Sequence, residues 1–143
     1  MKRLYAIAVA AFFPLSAPAQ DALVTLDGPS VALADLVWVK RPVVVFADSP
    51  NDPNFRRQID LLARDPAALE ARDVVVITDT DPEARSEVRQ ELRPRGFSLV
   101  VMDKDGRPIQ RKPLPWAVRE IVNAIDRSPI RRQEIQEGAV DRS

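Results

Sequence analysis

The hydrophobic and polar positions divide the middle of the chain into alternating strand-like and helix-like stretches. Val43-Val44-Val45-Phe46-Ala47 and Asp73-Val74-Val75-Val76-Ile77-Thr78 are continuous, largely β-branched runs, the pattern of strands covered on both faces. Phe97 to Met102 is a third such run. It ends in Asp103-Lys104-Asp105-Gly106, where Gly106 can take the left-handed backbone of a hairpin turn. Arg107 to Lys112 would return antiparallel, and Pro108 and its charges mark it as an edge strand.

Helix starts are signalled by three Asp-Pro pairs: Asp52-Pro53, Asp65-Pro66 and Asp81-Pro82. The Asp carboxylate accepts orphan N–H groups as an N-cap, and proline suits the first helical position. After the first pair, Phe55, Ile59 and Leu62 share one helical face. The second pair predicts a short helix, or a restart of the first, carrying Leu69 inward. The third predicts a longer one with an Ala84, Val88 and Leu92 stripe. Arg85, Arg89, Arg93 and Glu83, Glu87, Glu91 would flank that stripe and keep their charges in water. Leu114, Val118, Ile121, Val122 and Ile125 make the clearest amphipathic helix. Ser128-Pro129 then caps a short polar helix over Ile130 to Gln136, with Arg131 and Arg132 facing water, and Gly138 to Ser143 is expected to fray. Earlier, Leu23 to Leu26 is an extra edge strand, and Ser30 caps a short helical stretch through Leu33 and Leu36.

The order from Val43 onward is β-α-β-α-β-β-α. A right-handed crossover makes the first two strands parallel, and the hairpin adds an antiparallel edge. This predicts an α/β, thioredoxin-like three-layer sandwich, with a mixed central sheet and helices on both faces.

The first residues add an address. Met1-Lys2-Arg3 is basic, Leu4 to Leu15 is apolar, and Ala17-Pro18-Ala19 fits a small-residue cleavage site. This is the layout of a signal peptide over residues 1–19, cleaved after Ala19. The apolar run is short of the roughly 20 residues a spanning helix needs. With no cysteine, a lipidated cleavage point is excluded. Residues 20–143 then form one domain, with a core over about residues 33–135, in a periplasmic or secreted location, free of the membrane after cleavage. Removing Lys2 and Arg3 from 21 basic and 21 acidic residues leaves a net charge of −2. That is no basic field for nucleic acid.

Three segments resemble a known family. They are Trp38-Val39-Lys40-Arg41-Pro42 leading into the first core strand, Met102-Asp103-Lys104-Asp105-Gly106, and Ile125-Asp126-Arg127-Ser128-Pro129-Ile130-Arg131-Arg132-Gln133-Glu134. Together they resemble the bacterial domain of unknown function 4174, also called P-DUDES, over roughly Leu33 to Ile135. The resemblance implies a thioredoxin-like fold related to peroxiredoxins. It supplies no catalytic residue.

The chemistry usual for such a fold lacks its reacting atoms here. The chain has neither cysteine nor histidine. Thiol exchange and peroxide reduction need a thiolate, and the turn after the first core strand carries Ser49 and Asp52 instead. Ser98 falls where thioredoxins place a cis-proline. A Ser49 nucleophile would need a base, and Lys40 lies at the far end of the strand; helix capping explains Ser49 and Asp52 better. Asp79, Asp81 and Glu83 could hold a hard cation, but capping and a helix end account for Asp81 and Glu83. Trp38 and Trp116 are expected to pack in or beside the core.

The residues favour a non-catalytic binding or interaction module with no catalytic residue, metal or cofactor. Its expected surface is Asp48, Ser49, Asn51 and Asp52 with Ser98, meeting an unknown periplasmic protein or peptide. The rival reading is an oxidoreductase related to thioredoxins and peroxiredoxins, or a carboxylate- or metal-dependent enzyme. A third is self-association into a homo-oligomer through the edge strand.

Overall fold

The computed structural model describes residues 23–140. The expected signal peptide, residues 1–19, and the last three residues of the expected frayed end lie outside them. Five strands form one sheet in the order β1-β3-β2-β4-β5: β1 (Thr25–Asp27), β2 (Arg41–Phe46), β3 (Val74–Asp79), β4 (Ser98–Met102) and β5 (Pro108–Lys112). β1 and β2 run parallel to β3, while β4 is antiparallel to β2 and β5 to β4. The β-branched runs fall in the centre, as both-face burial requires: Val43 to Ala47 are fully buried. Polar β5 forms one edge and three-residue β1 the other.

Alternation along each strand divides the core in two. On one face Val43, Val45, Val74, Val76, Leu99 and Val101 meet α1 (Pro53–Leu62), α2 (Pro66–Glu70) and α4 (Val118–Asp126). On the other, Val44, Phe46, Ile77, Val100 and Met102 meet α3 (Glu87–Leu92) and the 3₁₀ turns before β2. α5 (Pro129–Val140) follows α4. This is the expected three-layer arrangement with a mixed sheet.

The first two Asp-Pro pairs act as predicted. Asp52 accepts the N–H groups of Asn54 and Phe55, and Asp65 that of Ala68. The third does not open a long helix. Asp81 caps one 3₁₀ turn, Pro82–Ala84, and the chain breaks at Arg85, which is left-handed at φ 47°. α3 starts afresh with Ser86 as its cap. Val88 and Leu92 are buried as expected, but Ala84 is exposed. The break explains why the charged rows do not flank one stripe: Arg89 turns inward to Asp79, and Glu87 accepts the Leu33 N–H.

Other expectations are also corrected. Leu114 lies before α4 and is exposed. Ser30 ends a 3₁₀ turn and donates to the Asp27 carbonyl; it does not cap the Leu33–Leu36 turn, whose N-cap is Ala32. The last helix runs from Pro129 to Val140, past the expected end at Gln136 and through Gly138. Trp38 is not core packing: 64% of it is exposed, at φ 62°. Its N–H is held by the Lys104 carbonyl at 2.6 Å, so a backbone tie, not burial, fixes the residue. Trp116 does pack against the core, where buried Gln58 accepts its N–H and donates to its carbonyl, both at 2.8 Å.

Candidate functional site

The two ends of the sheet carry different chemistry. At one end β2 and β3 finish, and Ser98, which opens β4, pairs with Phe46. Ligands of open α/β sheets gather at such strand ends. Asp48 and Asn51 are exposed there and Ser49 is half-buried. The Ser49 hydroxyl accepts the Asn51 N–H, and the Asn51 side-chain oxygen accepts from Arg56. Asp52 is occupied as the α1 cap, so its carboxylate already takes two of the N–H groups an outside anion would use. Ser98 is buried, and no peptide bond among the described residues is cis.

Ser98 is not brought together with the Asp48–Asp52 turn in one cleft. It lines a cleft of about 390 Å³ with Arg93, Arg95, Phe97, Arg111 and Pro113. The position of Ser98 was legible in the sequence. The three arginines were not, because they come from the α3–β4 loop and from β5 and converge only when β5 pairs with β4.

Behind this surface lies a buried ion pair. The Asp79 carboxylate, almost wholly buried, accepts from the Ser86 hydroxyl and from Arg89 at 2.9 Å. Arg89 also donates to the Ala47 and Asp79 carbonyls and stacks 5.4 Å from the Phe46 ring centre. Asp79 is thus a structural anion that ties α3 to the ends of β2 and β3. It is not free to join Asp81 and Glu83 around a cation, and no group of three or more metal-ligating side chains occurs among the described residues.

At the opposite end of the sheet, eight charged side chains form one network. Arg41, fully buried at the start of β2, donates to Asp103 at 3.0 Å, to the Arg72 carbonyl at 3.0 Å and to Glu134 at 3.1 Å. A second Arg41 nitrogen lies 3.1 Å from the other Glu134 oxygen, an ion-pair contact without hydrogen-bond alignment. Lys104 reaches both Asp73, at 2.7 Å, and Glu134, at 2.8 Å. Arg72 clamps Asp126 through two nitrogens, and Arg131 approaches Asp126 and Glu134. Arg131 is therefore half-buried in the network, not a water-facing charge as expected; its neighbour Arg132 is exposed.

These contacts shift the acids. Burial alone would raise the Glu134 carboxyl, but hydrogen bonds from Arg41, Lys104 and Arg131 prevail and lower it to about 2. The Arg72 hydrogen bond lowers Asp126 against its burial, and Arg72 is raised by the same bond. Burial pulls Lys104 down, yet hydrogen bonds to Asp73 and Glu134 leave it raised. Four cations face four carboxylates, so the network is internally neutralised and offers no free charge to a ligand.

The network also joins the three segments that carried the family resemblance. Arg41 comes from the first, Asp103 and Lys104 from the second, and Asp126, Arg131 and Glu134 from the third. The signature thus marks an ionic clamp between sheet and C-terminal helix, at the far end from the Ser98 cleft.

Comparison with one solved structure supports this fold. The reduced 2-Cys peroxiredoxin of Plasmodium vivax is similar, with a TM-score of 0.57 at 13% identity, over 73% of this chain and 85% of that one. The reduced desulfothioredoxin of Desulfovibrio vulgaris Hildenborough aligns with a TM-score of 0.48 at 21% identity, over 72% of this chain and 95% of that one. No curated protein matches the sequence. The fold is thioredoxin-like, the thiols are missing, and residues 32–134 match the family described as Domain of unknown function (DUF4174), so the chain belongs to that family.

Proposed function

We propose that this domain is an exported, non-catalytic binding or interaction module. Its ligand surface is the strand end formed by Asp48, Ser49, Asn51, Asp52 and Ser98, and its partner is a periplasmic protein or peptide. One observation carries the reading: the fold retains its strand-end surface, with Asp48 and Asn51 exposed and Ser98 lining a cleft, in a chain that holds no cysteine or histidine. Without a thiolate there is no nucleophile for disulfide or peroxide chemistry, and without histidine Ser49 has no neighbouring imidazole to activate it.

The test is capture of a partner from the exported fraction by the protein lacking residues 1–19. Substituting Ser49, Asn51 and Ser98 together should abolish capture while the thermal midpoint is retained. Undiminished capture by the substituted protein refutes this surface. Export itself is read by N-terminal sequencing of the secreted form, which should begin at Gln20.

A further inference from the structure

We infer that the cleft beside Ser98 binds a compact oxyanion carrying two or more negative charges, held by Arg93, Arg95 and Arg111. The inference rests on the reading of this strand end as a binding surface and names the chemistry it accepts. Arg93, Arg95 and Arg111 line one cleft of about 390 Å³, and no acidic residue shares its lining. None of the three has an ion-pair partner among the described residues. The arginines that the fold draws inward are treated differently: Arg41, Arg72, Arg89 and Arg131 each meet a carboxylate. Nor is the cluster a by-product of a basic chain, since the sequence is balanced at 21 basic and 21 acidic residues. Gathering like charges raises the local potential, and an anion relieves it.

The backbone holds the cluster in place. The loop between α3 and β4 is pinned by buried Leu92 on one side and buried Phe97 on the other. Within it Pro94 has a fixed φ, and Arg93 and Gly96 are both left-handed, at 47° and 55°. Arg111 enters from the edge strand, opposite Val100, on the same sheet face as Ser98. Guanidinium forks match pairs of oxygens on phosphoryl and carboxylate groups, and the Ser98 hydroxyl adds a donor at the cleft wall.

The experiment is titration of the ¹⁵N-labelled protein at low salt and pH 7, with pyrophosphate in one arm and citrate in the other. Saturable shifts on the amides of residues 93–98 and 111–112, at millimolar concentration or below, are expected with at least one probe. The stronger arm tells a phosphoryl from a polycarboxylate ligand. Arg95→Gln with Arg111→Gln should weaken binding at least tenfold. Arg57→Gln with Arg64→Gln, an equal loss of exposed charge elsewhere, should leave it unchanged. Absence of saturation with both probes at 20 mM, dispersed shifts, or equal loss in the two double variants overturns the inference. Partner capture separates the two readings: capture by the parent protein with no saturable anion shift leaves the module and removes the anion, while saturable anion binding with capture indifferent to Ser49 and Asn51 does the reverse.

Discussion

Arg41 and Glu134 stand 93 residues apart in the chain, yet their side chains meet at 3.1 Å at the start of the central strand. The contact fastens the C-terminal helix to the sheet. It also makes the fold acid-sensitive in a defined direction. Glu134 is held at about 2, below its ordinary 4.5. A carboxyl lowered on folding contributes stability that is complete above the ordinary value and lost as pH falls from there toward the folded one. The contribution is about 3 kcal/mol, and Asp126 shifts in the same direction. Urea unfolding of Glu134→Gln should therefore fall well below the parent protein at pH 7 and converge with it near pH 2. A difference that persists unchanged at pH 2 would refute this assignment.

The other partner should be costlier to remove. Arg41→Leu leaves Asp103 and Glu134 facing each other with their shared guanidinium gone. Loss of one member of a buried pair costs about 3–5 kcal/mol. The urea midpoint at pH 7 measures it, and a loss under 1 kcal/mol would mean that water replaces the arginine freely.

Gly28 tests the second buried pair. A Cβ at this position would lie 2.7 Å from a carboxylate oxygen of Asp79 and 2.8 Å from its Cβ. Asp79 cannot retreat, because Ser86 and Arg89 hold it. Gly28→Ala should cost about 1–3 kcal/mol by overpacking, seen as a lower thermal midpoint. An unchanged midpoint would show that β1 moves aside.

Trp38 should behave oppositely to its size. It is mostly exposed and left-handed, a backbone state unfavourable for a bulky residue. Trp38→Gly should leave stability unchanged or raise it by up to about 1 kcal/mol, whereas Trp116→Ala should lower it. Destabilisation by Trp38→Gly would mean that the indole packs.

Much of this fold was legible because local signals and burial agree. Val43 to Val45 and Val74 to Ile77 are β-branched and lie in the middle of the sheet, and Asp52 and Asp65 cap as their Asp-Pro pairs announce. The sequence signals failed where backbone handedness or distant pairing decided. Nothing local marks Arg85 as left-handed, so the Pro82–Leu92 stretch reads as one helix. Trp38 looks like core, because a single backbone hydrogen bond to Lys104 leaves no trace in the pattern. Glu134 and Arg131 lie on a polar helix, where charges ordinarily face water, and their partners are set by tertiary packing. The candidate site was half visible. Ser98 and the Asp48–Asp52 turn follow from the strand end, but Arg93, Arg95 and Arg111 meet only through the β4–β5 register.

The proposed function is binding without thiol chemistry on a thioredoxin-like scaffold. Its most direct test is turnover of a disulfide substrate and of hydrogen peroxide by the purified chain lacking residues 1–19. Rates equal to buffer are expected with either substrate. Reproducible reduction that survives repurification would contradict it.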